Sequence, residues 1–216
     1  MQILFEDNHS IAVVKPAGMP VQGDLTRDRS LLDELKTFLK DKYHKPGDVY
    51  VGLVHRLDRP VGGIVIFAKT SKGAARLSAQ FREHQVSKLY WAVVEGAPEK
   101  TQGQVTQWIL KDKRTNQARA FDYARPGAKF AELEYRVVRT ESGLSLIEIR
   151  PKTGRSHQIR LAMKTLGCPI YGDVKYGARR ALGRNIALFA RSLTFRTVVG
   201  DQPVTVTAQP DWPFFR

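Results

Sequence analysis

"AELEYRVVRTESGLSLIEIRP", residues 131–151, decides the fold class. Ala131, Leu133, Tyr135 and Val137 recur at every second position with mostly charged residues between them, the period of a strand that buries one face. A Glu-Ser-Gly turn follows and "LSLIEIRP" resumes the extended pattern, which predicts an antiparallel hairpin. The same signals recur outward in both directions. "ILFE", a "DNHS" turn and "IAVVK" predict a hairpin over 2–15, while "GIVIFAKT" and "KLYWAVVEG" predict further strands. From about residue 186 the chain again reads as strands, joined by a "GDQP" turn. Three helices interrupt this pattern. Leu31, Leu32, Leu35, Phe38 and Leu39 share a face over 30–43, with Ser30 as cap; Ala74, Leu77 and Phe81 share another, with Ser71 as cap. "RSHQIRLAMKTLG" forms the third and ends at Gly167 before Pro169. Residues 99–129, polar and rich in Gly, Thr and Arg, read as loops and irregular strands. Strands dominate and helices pack alongside, so the expectation is an α+β fold with residues 1–216 as one domain.

The charge points to a partner. Thirty-five Lys and Arg against 21 Asp and Glu give a net charge of +14, spread along the chain and not gathered in a tail. Such a field favours a polyanion, nucleic acid before an anionic membrane. The single cysteine, Cys168, excludes an internal disulfide, and five scattered histidines form no pattern with zinc spacing. "MQILFEDNHS" has no basic region ahead of a long apolar run, and no stretch approaches a membrane span, so the expected location is the cytoplasm.

Several stretches carry candidate chemistry. In "LVHRLDRPVGG", residues 53–63, Asp58 stands between Arg56 and Arg59. An Asp flanked by arginines is ordinarily a solvated turn. Here the apolar run that follows places the carboxylate on a loop feeding the interior, where a charge needs a partner. On the third helix Ile159, Ala162, Met163 and Leu166 face inward, and His157, Arg160 and Lys164 share a neighbouring face that reads as a solvated basic edge. Gly154 and Arg155 at its start offer backbone N–H groups and a guanidinium together, a natural phosphate site. On "SKLYWAVVEG" Lys88, Tyr90 and Ala92 lie on one side; taken alone, Tyr90 reads as a core tyrosine whose hydroxyl reaches a rim. "KPAGMPV", with Lys15, says only loop.

Together, "HRLDRPVGGIVIFAKT", "KLYWAVVEG" and "KTGRSHQIRLAMKTLGCPIYGDVKYG" resemble the RluA family of RNA pseudouridine synthases, and "VVKPAGMPV" is similar to that family's N-terminal segment. Four motifs in the family's order, from about residue 2 to 177, are far more specific than any one of them. The resemblance implies a mixed, mainly antiparallel sheet flanked by helices, with a central RNA-binding cleft. It implies that Asp58 is the catalytic carboxylate, that Tyr90 packs on the uracil and accepts a proton, and that Arg160 pairs with the carboxylate. It makes Arg56 the residue that enters the RNA helix where the target uridine has flipped out, and Ile159 part of the base pocket. His55, Lys88 and Arg155 complete the expected substrate contacts. Two departures stand out. Val61-Gly62-Gly63 replaces the Thr-Ser-Gly common after the aspartate loop, and the chain begins directly with the catalytic segment, where many relatives carry an S4 RNA-binding domain.

The implied activity is isomerisation of uridine in a ribosomal or transfer RNA stem-loop by a monomer, with no cofactor and no metal. Two other classes compete. A catalytically silent RNA-binding module would use the same basic surface but gains nothing from a carboxylate facing phosphates. A glycosidase-like hydrolase needs a pair of carboxylates across the bond, and the sequence offers one.

Overall fold

The computed structural model describes residues 1–24, 27–112 and 114–214; Phe215 and Arg216 of the expected domain lie outside them. The chain forms two compact units. The first comprises Met1–Ser87 and Ala190–Pro210, and the second Lys88–Phe189 with the residues from Asp211 onward.

In the first unit β1 (Gln2–Glu6) and β2 (Ser10–Lys15) form the predicted hairpin, and β2 pairs antiparallel with β4 (Gly62–Ala68). The short β3 (Gly52–Leu53) also pairs with β4, β10 (Leu188–Arg196) is β4's other neighbour, and β11 (Pro203–Thr207) closes on β10. Every residue of β4 is buried, which is why its sequence is a continuous apolar run and not an alternation. Gly63 has φ +118, and a Cβ there would stand 2.4 Å from the backbone nitrogen of Ala190, so only glycine fits. Helix α1 (Leu31–Lys42) is capped as expected: Ser30 accepts from the Asp33 amide, and Asp33 accepts from the Ser30 amide in return. The cap of α2 (Ser71–Arg82) is Thr70, one residue before the expected Ser71. Thr70 Oγ1 accepts from the Gly73 amide and bonds His9 Nδ1, which ties the helix start to the first hairpin. At the other end of α2 the Gln80 side chain acts as a strand partner, donating to the Arg196 carbonyl and accepting from its amide at 2.9 Å each. Glu6 gathers Lys42, Tyr43 and Lys69, each at 2.6 Å. Burial pushes the Glu6 carboxyl up, but the bonds from Lys42, Lys69 and Tyr43 outweigh it and hold it at about 2.

The second unit is built on an antiparallel array in the order β5 (Ser87–Glu95), β9 (Leu144–Pro151), β8 (Lys129–Glu141), β6 (Gln102–Asp112), β7 (Gln117–Phe121). The predicted hairpin over 131–151 is there, with Ala131, Leu133 and Tyr135 buried. The stretch expected as loops and irregular strands holds the long regular pair β6–β7 instead. Helix α3 (Gln158–Thr165) packs on β6 and β7, with Leu161 against Ile109, Ala118 and Ala131. It begins two residues later than its sequence pattern suggests, because His157 is left-handed at φ 56. The architecture is α+β, as expected.

Candidate active site

Asp58 lies half-buried at the head of a tight turn closed by the Val61 amide on its carbonyl at 3.0 Å. The turn is braced through backbone atoms. Lys15 has no exposed surface, and its ammonium donates to the carbonyls of Pro16, Met19 and Arg59 at 2.9, 2.8 and 3.1 Å. The Gly18 amide donates to the same Arg59 carbonyl at 2.8 Å, and Arg59 Nε returns a bond to the Gly18 carbonyl at 3.0 Å. Segment 15–19 and the aspartate turn are therefore knotted together. Burial pulls the Lys15 ammonium down to about 7, assisted by the Arg59 charge and opposed by the Asp58 carboxylate. The other arginine beside Asp58 is placed differently. Arg56 is exposed and lines a cleft with Leu57, Arg59 and residues 20–24. Arg59 turns its guanidinium to Asp28 and Asp24. His55 points into the unit: its Nε2 accepts from the Ile66 amide at 3.0 Å and its ring stacks on Phe81 at 4.5 Å.

In the second unit Tyr90 lies half-buried on β5 opposite Ile149. On the same side of the strand Lys88 donates to the Thr153 carbonyl at 3.2 Å; burial, then the charge of Arg155, lowers its pKa. The loop before α3 is clamped by Gln158. Its Oε1 accepts from Thr153 Oγ1 and the Arg155 amide, and its Nε2 donates to the Glu132 carbonyl. The Arg155 amide, expected to face a phosphate, is thus bonded within the loop, while the Arg155 Nε donates to the Phe130 carbonyl at 2.8 Å.

Helix α3 does not present a solvated basic edge. His157 and Arg160 are each 6 % exposed, beside Ile159 at 7 %. Arg160 makes a two-pronged pair with Asp173, Nε to Oδ2 at 2.7 Å and Nη2 to Oδ1 at 2.6 Å, and its guanidinium lies 4.8 Å over the Tyr176 ring. The Tyr176 hydroxyl bonds His157 Nδ1 at 2.6 Å and accepts from the Ala118 amide at 3.1 Å. His157 makes this bond from a left-handed backbone, a conformation that costs about 1–2 kcal/mol. A helical wheel cannot find Asp173 or Tyr176; the signal lies in "GDVKYG", a motif whose polar residues had no assigned task.

The first unit thus brings Lys15, Arg59 and Asp58 together, and the second groups Lys88 with Arg155 and Arg160 with His157, Asp173 and Tyr176. Among the described residues no three His, Cys, Asp or Glu side chains cluster as a metal site, and no helix is long and apolar enough to cross a membrane.

Known proteins resemble this chain in sequence and in fold. The family model described as RNA pseudouridylate synthase matches residues 9–165, a span that includes every candidate residue above except Asp173 and Tyr176. Ribosomal large subunit pseudouridine synthase C of Rickettsia conorii is 38 % identical over 181 residues, covering 83 % of this chain and 57 % of that protein. The chain spans little more than half the length of that relative. tRNA pseudouridine synthase C of Haemophilus ducreyi is 34 % identical over 98 % of this chain and 91 % of its own. Among solved structures, human RNA pseudouridylate synthase domain containing 4 superposes with a TM-score of 0.80 at 26 % identity, over 96 % of this chain and 88 % of the other. A match through both strand units and all the motifs of the aspartate turn, β5 and α3 leaves one assignment: the chain belongs to the RNA pseudouridylate synthase family.

Proposed function

We propose that residues 1–216 act as one catalytic domain that isomerises a uridine to pseudouridine in a structured ribosomal or transfer RNA. The observation that carries this reading is Asp58: a half-buried carboxylate on a turn fixed by its own backbone, within a sequence that matches the family. A carboxylate meant only to decorate a basic surface needs no such bracing.

The reaction breaks the N1–C1′ bond, turns the uracil in place and joins C5 to C1′. N1 gains a proton and C5 loses one, so no mass enters or leaves. Asp58 acts as nucleophile at C1′ or as base on the ribose. Tyr90 takes the C5 proton, and Ile159 lines the base pocket. Arg160, held by Asp173 through both Nε and Nη2, is the cation for the catalytic carboxylate. Arg56, exposed on its loop, fills the gap left by the flipped base, a displacement that costs a few kcal/mol of unstacking. Lys88 and Arg155 serve the phosphates, whereas the contacts of His55 with Ile66 and Phe81 favour a role in shaping the Asp58 loop.

The test is incubation of the purified chain with ribosomal and transfer RNA transcripts, followed by nucleoside analysis. Pseudouridine at unchanged RNA mass is the expected result. Released uracil would assign a hydrolase, and tight binding with neither product would assign a silent RNA-binding module.

A further inference from the structure

One face of the second unit carries aromatic rings that no step of the reaction uses. Trp108 on β6 is the cross-strand partner of Phe121 on β7 and of Phe130 on β8. The intervening positions, Ile109, Ala118 and Ala131, are buried on the α3 side. By strand alternation the three rings therefore stand abreast on the opposite face. Trp108 and Phe130 meet edge to face at 5.6 Å, and Phe130 remains 38 % exposed. Beyond Phe121 the chain continues to Tyr123, which is 58 % exposed, and to Arg125, whose guanidinium lies 4.3 Å over Phe121 and 4.8 Å over Tyr123. Arg155 stands beside Phe130, held by its bond to that residue's carbonyl. Arg119 is exposed on the same face as its partner Leu110, and its charge reaches the Asp112 carboxylate.

Cross-strand aromatic pairs alone could serve to stabilise a hairpin. That purpose would not leave Phe130 and Tyr123 open to solvent with a guanidinium over Tyr123 and the adjoining Phe121. An arginine stacked on a ring keeps its N–H edge for an anion, and an open ring beside it offers a surface for a base. Three strands at about 4.8 Å spacing give a row about 10 Å across, enough for two or three bases. We propose that Phe121, Trp108 and Phe130, together with the exposed Tyr123, form a stacking platform for unpaired nucleotides of the RNA substrate, with Arg125, Arg119 and Arg155 meeting its phosphates. This rests on the RNA reading above. The occupant follows from charge complementarity: aromatic surface framed by guanidinium groups on a chain of net charge +14.

The probe is a fluorescein-labelled single-stranded RNA of about ten nucleotides, the size such surfaces cover, titrated across a salt series. Truncating Tyr123 and Phe130 together (Tyr123→Ala/Phe130→Ala) should weaken binding at least about tenfold. Arg125→Ala should lower the slope of log K against log salt by about one. Tryptophan emission should be quenched on binding, and Trp108→Phe should remove most of that quenching. If the aromatic double variant fails to fold, the exposed Arg125→Ala and the conservative Trp108→Phe decide the matter. Undiminished affinity with an unchanged salt slope, or full quenching in Trp108→Phe, would overturn the platform. So would loss of self-association in the variants with RNA affinity intact, which would assign the face to a second copy of the chain. Binding is read without turnover, so a chain that converts no uridine but shows these losses fails the enzyme reading and keeps the platform.

Discussion

The aspartate turn of the first unit and helix α3 of the second hold their charged residues by opposite means. Around Asp58 the bracing is peptide to peptide and lysine to peptide: three carbonyls on the Lys15 ammonium, and the Gly18 and Arg59 exchange. None of those bonds involves the Asp58 side chain. Around Arg160 the bracing is the side chain itself, paired with an Asp173 that is 1 % exposed. The lesson is that the aspartate turn keeps a frame of backbone and Lys15 bonds whatever its side chain, whereas Arg160 is itself part of the frame around it.

The sharpest way to break that comparison is to neutralise each in turn. Asp58→Asn should leave less than about one-thousandth of the isomerisation rate while RNA binding stays within about tenfold, about 1.4 kcal/mol. Its melting temperature should stay within about 4 °C of the parent, since the turn keeps its backbone bonds. Measurable turnover, or a melting loss comparable to the arginine variant, would erase the distinction.

Arg160→Ala should lose both activity and about 3–5 kcal/mol of stability, because it leaves the Asp173 carboxylate buried without its partner. Arg160→Met combined with Asp173→Leu should recover most of that stability and none of the activity. Denaturant unfolding alongside single-turnover rates checks both. If the single variant unfolds like the parent, the pair contributes nothing to the fold.

The Lys15 knot sharpens the contrast through pH. Its folded value of about 7 lies below the ordinary 10.5, so between those values the unfolded chain binds more protons. Stability should therefore rise with pH across that window, by at most about 1.4 kcal/mol per unit, with no such gain below pH 7. Lys15→Met should flatten this rise in unfolding measured from pH 7 to 10. An identical slope in the variant would mean that the ammonium is not the group responsible.

Glu6 supplies the smallest effect, an ion-pair network near the surface of the same unit. Its carboxyl is held at about 2 against an ordinary 4.5, so its contribution is present above pH 4.5 and lost as pH falls toward 2. Glu6→Gln should cost about 1–2 kcal/mol at neutral pH and shallow out the acid limb of the melting curve.

What could be read from sequence followed from how local each signal was. The hairpin over 131–151 and the capped α1 were legible because alternation and a capping box are written within a few residues. The β6–β7 pair was not, because its inner face carries Gln107, buried on Thr165, and small Ala118, while Trp108 and Leu110 face outward. The polarity pattern that marks a half-buried strand is inverted there. Arg160 and His157 looked solvated because their partners, Asp173 and Tyr176, arrive from a later turn. Asp58 stood out in its own stretch as a carboxylate leading into the interior, but the catalytic roles expected of it and of Tyr90 came only from the family motifs. Their local sequence fits a surface turn and a core strand equally well.

The first unit is discontinuous, and this sets a clock on its assembly. Its fully buried β4 needs β10 as a neighbour, yet β10 is encoded after the whole strand array of the second unit. At about 5–20 residues per second, the roughly 100 intervening residues take on the order of 5–20 s to synthesise. During that interval the nascent chain carries an apolar strand with one edge unpaired, open to other chains and to holding chaperones. The second unit can complete its own array while the ribosome is still at work. A chain that ends between Gly177 and Ala190 therefore carries helix α3 with the β5–β9–β8–β6–β7 array, while β4, next to the aspartate turn in sequence, still lacks β10.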